Sequence, residues 1–132
     1  MNPAKLQEFA ARYTAAWCSQ NAASVAEFFT ENGSLTINYG APAIGRPAIT
    51  AAAQGFMTAF PDMIVTMDGV SMGAWDACYR WTLSGTNTGP GGTGRTVRIS
   101  GFEQWTLSAD GLIAKSGGHF DEADYQRQLI GG

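Results

Sequence analysis

The stretch that decides the fold is Thr96-Val97-Arg98-Ile99-Ser100-Gly101-Phe102-Glu103-Gln104-Trp105-Thr106-Leu107, then Ser108-Ala109-Asp110-Gly111, then Leu112-Ile113-Ala114-Lys115-Ser116-Gly117-Gly118-His119-Phe120. The first segment alternates. Its odd positions are apolar apart from Glu103, and its even positions are mostly polar, so the odd face should point inward. Ala109-Asp110-Gly111 suits a three-residue hairpin loop with Gly111 in the left-handed conformation. That loop sets a register in which Trp105 faces Lys115, Glu103 faces Gly117, Gly101 faces His119 and Ile99 faces Asp121. Glu103, His119 and Asp121 then share the inner face, with open space at Gly101 and Gly117. A two-residue turn would shift this pairing, and a bulge at Gly117-Gly118 would flip the side chains beyond it.

Two more strands are expected upstream, Met63 to Met72 and Trp75 to Thr86. In the second, Ala77, Tyr79, Trp81 and Leu83 form the apolar face, with Asp76, Arg80, Thr82 and Ser84 opposite. Asn2 and Pro3 fit the cap and first position of a helix whose stripe is Leu6, Phe9, Ala10, Tyr13, Ala16 and Trp17. Asn21 should cap a second helix carrying Val25, Phe28 and Phe29, ended by the turn Glu31-Asn32-Gly33. Ser34 to Tyr39 reads as a strand that Gly40-Ala41-Pro42 breaks. A third helix enters at Pro47, buries Ile49, Ala52, Ala53, Phe56, Met57 and Phe60, and stops at Pro61. Asp121 to Leu129 reads as a terminal helix. Helices first and a meander of strands after imply one α+β domain over residues 1–132. Strands this long must twist and curl. A curled antiparallel or mixed sheet wrapped over N-terminal helices encloses a cone, which is a natural pocket.

Composition narrows the function classes. The chain has 132 residues, 45% hydrophobic and 11% aromatic, with a net charge of −3. Its Lys and Arg are scattered, so no basic footprint for nucleic acid exists. The N-terminus lacks the features of a secretory signal, and no apolar run is long enough for a bilayer. Cys18 and Cys78 have no metal-type spacing, and the single histidine is too few for a usual zinc set. The expectation is a cytoplasmic protein with free thiols and no metal.

Three residues carry the expected chemistry. His119 and Asp121 lie two apart on a strand end, so their side chains point the same way, roughly 7 Å apart. Asp121 is a candidate general base and equally a helix N-cap. His119 is a candidate acid or donor to a substrate oxygen; a lone strand histidine is more often structural, and the neighbouring carboxylates make the two readings even. Glu103 is a candidate acid or base, against a diagonal ion pair with Lys115 that this register puts within reach. Tyr13, Trp17, Tyr39, Phe56, Phe60, Tyr79, Trp81 and Trp105 are core residues by type, and those with polar tips are candidates to line a cavity for a flat apolar substrate. The run Thr88 to Arg95 is Gly-rich without a P-loop pattern and reads as a flexible hairpin loop at the cone mouth.

The order and spacing of several short marks resemble the SnoaL-like branch of the nuclear transport factor 2-like superfamily. They are Ala15-Ala16-Trp17 with Asn21 to Phe29, Ile44-Gly45-Arg46-Pro47-Ala48-Ile49, Phe60-Pro61-Asp62, Arg80-Trp81-Thr82 with Gly85-Thr86-Asn87-Thr88-Gly89, Asp110-Gly111-Leu112-Ile113, and Asp121 with Gln128-Leu129. The resemblance implies a cystatin-like cone of curved sheet and helices, and a homodimer through the outer sheet face. It implies a polyketide cyclase that closes rings by aldol chemistry without metal or cofactor, with Asp121 at the position of the acidic proton shuttle. Two positions depart from the pattern: Asn87 stands where histidine is frequent, and Lys115 where an acid is common.

The expected function is therefore acid–base chemistry on a small apolar or aromatic carbonyl substrate, with Asp121 as base and His119 as donor to the enolate oxygen. The alternatives are a ketosteroid-isomerase-like isomerase, an epoxide-type hydrolase, or a ligand-binding module without chemistry. Arg80 and Arg98 fall on the outer face by parity, which counts against the hydrolase.

Overall fold

Asn2 accepts a hydrogen bond from the Lys5 amide at 2.9 Å, and Pro3 follows, so the first helix begins at the expected cap. It is α1, Pro3–Cys18, in the computed structural model of the chain, which describes residues 1–74 and 76–131. Then come α2 (Ala22–Ala26), β1 (Phe29–Ile37), β2 (Ala43–Ile44), α3 (Arg46–Ala59), β3 (Ile64–Met72), β4 (Asp76–Thr86), β5 (Thr96–Leu107), β6 (Ile113–Phe120) and α4 (Glu122–Ile130). Trp75, the expected start of the fourth strand, lies outside the described residues.

The strands form one curled, open sheet in the order β2-β1-β6-β5-β4-β3. β1 runs parallel to β6 and the other neighbours are antiparallel. This is the expected α+β class with a mixed sheet. The α1 stripe is buried as the spacing requires: Leu6, Phe9, Ala10, Tyr13, Ala16 and Trp17 are all at most 8% exposed. α3 buries Ile49, Ala53 and Met57, while Ala52 and Phe56 are half-buried.

The early boundaries differ from expectation. α2 ends at Ala26, and β1 begins at Phe29 rather than Ser34. Glu31-Asn32-Gly33 is an irregularity inside β1, where the pairing with β6 shifts between Phe29 and Ser34. Phe29 pairs with Ile113 and is fully buried, so a non-local partner turned a helical-looking phenylalanine into a strand residue. Asn21 stands at the α2 cap position, but its side chain makes no capping hydrogen bond.

The hairpin turns as predicted, with Gly111 at φ +77° and its amide bonded to Ser108 O at 3.0 Å. The register beyond it does not. Leu107 pairs with Ile113 and Thr106 with Lys115, which leaves Ala114 as an extra residue in β6. From there Trp105 pairs with Ser116, Glu103 with Gly118 and Gly101 with Phe120, one residue off the expected register. Ser116, Gly118 and Phe120 thus take the inner face, and Lys115, Gly117 and His119 the outer one. Gly101 is sterically required, because a Cβ there would collide with the His119 carbonyl and lie 2.7 Å from the Trp81 ring.

The Gly-rich loop is tied down. Asn87, 8% exposed, donates from Nδ2 to Ala59 O at 3.1 Å and accepts from the Thr93 amide at 2.8 Å.

Candidate active site

The bulge at Ala114 moves the polar centre from the end of β6 to the middle of β5. Glu103 sits there at 7% exposure, the one acidic side chain buried among the described residues. Its Oε1 accepts three hydrogen bonds: from Ser116 Oγ at 2.7 Å, Tyr13 Oη at 2.9 Å and Trp105 Nε1 at 3.0 Å. The donors come from β6, α1 and β5, so the carboxyl is fixed by three elements at once.

Oε2 has no hydrogen-bond partner among the described residues. It is not sealed either, since the only unpartnered buried side-chain polar atom there is Trp17 Nε1. The open side of Glu103 therefore meets a cavity, lined with it by Trp17, Phe56, Tyr79, Trp81 and Phe120. Leu35, Ile37, Val65, Leu83, Ile99 and Gly118 complete the wall. The volume open to water centres is about 60 Å³. One water needs roughly 10–15 Å³ on that measure, so a small organic group has room.

Electrostatics follow from burial. Desolvation raises the Glu103 pKa above the ordinary carboxylate value; the Trp105, Ser116 and Tyr13 donors pull it down, and burial wins. Tyr13 is raised well above the usual phenol value, first by burial and next by the Glu103 charge, so it stays a donor. Burial raises Tyr79 too. Thr14 donates to Ala10 O at 2.8 Å, so the 2.5 Å contact between Thr14 and Tyr79 has the phenol as donor. The Tyr79 ring stacks on Trp105 at 4.9 Å and 13°, which holds the Trp105 indole on Oε1. Trp17 Nε1 lies beside Tyr13, close enough to ease its ionisation slightly but without hydrogen-bond geometry.

His119 and Asp121 do not join this centre, contrary to the shared inner face expected from the sequence. His119 pairs with Phe102 on the outer face, its ring 5.1 Å from Phe102 and 4.8 Å from Tyr39. Asp121 is exposed and caps α4, accepting from the Asp124 amide at 3.0 Å. The bulge causes the first change, and the end of β6 at Phe120 the second. Lys115 is exposed and makes no ion pair with Glu103; the one salt bridge among the described residues is Arg127–Asp124.

The expected aromatic lining divides. Trp17, Phe56, Tyr79 and Trp81 line the cavity. Tyr13 and Trp105 stand behind Glu103 as donors. Phe60 is fully buried outside the lining, and Tyr39 is 90% exposed in a turn at φ +63°. Sequence reasoning missed Ser116, Gly118 and Phe120, which the unshifted register had turned outward. Among the described residues no group of three His, Cys, Asp or Glu side chains is placed to hold a metal ion, and no helix is long and apolar enough to cross a membrane.

Several solved structures share this architecture. A protein described as a SnoaL-like polyketide cyclase from Jannaschia sp. CCS1 superposes with TM-score 0.86 at 17% identity, covering 100% of this chain and 97% of that one. TsrD from Streptomyces laurentii gives TM-score 0.84 at 22% identity, covering 98% and 97%. A hypothetical protein with a ketosteroid-isomerase-like fold from Catenulispora acidiphila DSM 44928, solved with trimethylamine, gives 0.82 at 15% identity, covering 98% and 94%. At these identities the likeness is one of fold. No sequence relative was found among curated proteins. The family profile described as SnoaL-like domain matches residues 10–116, from the middle of α1 to Ser116 itself. With the profile spanning most of the chain and the curled sheet matching as well, the chain belongs to the SnoaL-like domain family.

Proposed function

We propose that this protein is a cofactor-independent enzyme of the polyketide-cyclase type, acting by acid–base chemistry on a small apolar carbonyl compound held in the cavity, with Glu103 as the proton carrier. The observation that supports this is the asymmetry of the carboxyl, with Oε1 held by three donors and Oε2 free on the cavity side. When the group is neutral its proton belongs on Oε2, because donors already fill Oε1. When it is ionised, Oε2 can take a proton from the carbon beside a carbonyl: the C–H bond breaks, the proton goes to Oε2, and the electron pair moves onto the carbonyl oxygen. Burial raises the Glu103 pKa toward neutral pH, where a proton carrier works best. Apolar walls exclude water, which strengthens each electrostatic contact inside.

The test is deuterium incorporation at the methyl carbon of acetophenone in D₂O, followed by NMR. Wild type should exchange above the buffer rate, and Glu103→Gln should fall to that rate. Asp121→Asn keeps a capping side chain and should exchange like wild type; loss there, with Glu103→Gln still active, would restore Asp121 as the base. Saturable binding without exchange in wild type would make the protein a ligand-binding module. The assembly we propose is a homodimer through the outer sheet face, supported by the exposed Phe102 and Tyr39 rings that flank the half-buried His119.

A further inference from the structure

We propose that Gly118 determines which ligands the cavity accepts, because its missing side chain leaves the cavity wall beside the Glu103 side chain open. This rests on the reading of the cavity as a carbonyl site and names the class that fits: neutral, flat ketones or aldehydes that pack against the wall beside Glu103 and occupy the space a methyl group on residue 118 would fill.

Gly118 is the direct partner of Glu103 across β5 and β6, and the one glycine in the cavity wall. The fold does not demand a glycine there. Its backbone is not among the left-handed glycines, which are Gly45, Gly91, Gly94, Gly111 and Gly131. A Cβ on residue 118 would meet Thr36 O at 3.5 Å and Glu103 Cγ at 3.6 Å, both ordinary contacts. Gly101, on the neighbouring strand and outside the lining, is the opposite case, since a Cβ there strikes backbone and the Trp81 ring. Glycine inside a strand weakens it and is expected where something must approach the backbone closely. At residue 118 no protein group makes that approach, and the cavity lies there instead. The lining carries no Lys or Arg, so a neutral ligand suits it and an anion would lose its hydration without a partner.

The experiment measures binding of para-fluoroacetophenone and para-fluorobenzaldehyde by ¹⁹F NMR titration to wild type, Gly118→Ala and Gly117→Ala. Gly117 is the control: same strand, outer face, with only His119 Nε2 at 3.8 Å from its added Cβ. Gly118→Ala should bind the ketone about tenfold more weakly, the scale of one overpacked methyl group. The aldehyde, smaller by one methyl, should suffer less, and Gly117→Ala should bind both as wild type does. An unchanged thermal midpoint in Gly118→Ala would show that the loss is not unfolding. Equal ketone affinity in Gly118→Ala and wild type would overturn the assignment of Gly118 alone. Failure of wild type to bind either probe would overturn the carbonyl reading, and this inference with it. Amide shifts in wild type give a second measure without any variant: the Gly118 and Glu103 amides should move on ketone addition, and a still Gly118 amide refutes the proposal.

Discussion

Replacing Glu103 with Gln should change how stability depends on pH, in a direction the structure fixes. The carboxyl's folded pKa lies above its ordinary value, with burial the largest cause, outweighing the Trp105, Ser116 and Tyr13 donors. In the window between the unfolded and folded values the folded state therefore binds more protons than the unfolded one. Stability from this group is complete below the unfolded value, about 4.3, and is lost as pH rises through the folded value. One group exchanging one proton sets the steepest slope at about 1.4 kcal/mol per pH unit. Gln has the same shape and its carbonyl can accept the same three donors, but it does not titrate. Wild type should thus lose stability relative to Glu103→Gln as pH rises above about 4, and the difference should level off once the folded carboxyl has ionised. Asp62 shifts the other way, because the Thr86 amide donates to it at 2.7 Å. Its contribution fades as pH falls below the ordinary carboxylate range, in both proteins alike, and cancels in the difference. Urea unfolding followed by tryptophan fluorescence across that pH range gives the curve. A wild-type-minus-variant difference that is flat, or that grows in favour of wild type as pH rises, would refute the placement of an unpaired carboxyl oxygen in an apolar-walled cavity.

Two other variants probe the frame around the site. Asn87→Ala removes the bonds to Ala59 O and the Thr93 amide at a buried position, and should cost about 2–3 kcal/mol in urea unfolding; hydrogen exchange at the Thr93 amide should quicken, and unchanged exchange there would deny Asn87 its role as the pin of the loop. Phe102→Glu puts a charge on the outer sheet face, where Phe102 is 40% exposed beside His119. It should convert a dimer to a monomer in sedimentation equilibrium, while a wild type that sediments as a monomer removes the proposed interface.

The fold was legible where local pattern and burial agree. β5 shows the parity its sequence dictates: Val97, Ile99, Glu103 and Trp105 are buried while Arg98, Ser100 and Gln104 are exposed. Glu103 could be singled out from sequence because it is the one charge on that inner face. Its surroundings could not. β6 lies between β5 and β1, and Lys115 to Gly118 pair with Ser34 to Ile37 as well as with β5. Its register answers to a partner about eighty residues away, and a single extra alanine reconciles the two ladders. That residue exchanges every face beyond it, placing Ser116 under the carboxyl and turning His119 away. A hairpin rule sees only the near partner. The same non-local pairing took Phe29 out of a helix.

Whether Glu103 serves the fold or the cavity turns on which oxygen is left over. A buried carboxyl is a poor choice for stability, since a core of similar volume built from apolar side chains is often as stable or more so. Once Tyr13, Trp105 and Ser116 point inward, though, removing Glu103 alone would strand three donors, each at about 1–3 kcal/mol. Oε1 is thus explained by its neighbours, and they by it, with no ligand needed. The other oxygen is not explained this way. A group kept only to join α1, β5 and β6 would have both oxygens closed by protein donors, because an unmet acceptor in a dry core costs free energy for nothing. Here Oε2 stays open, beside a wall of Trp17, Trp81 and Phe120 and across from a glycine that neither backbone nor packing requires. Fold maintenance leaves those two vacancies, the free oxygen and the absent side chain, unaccounted for, and both face the same space.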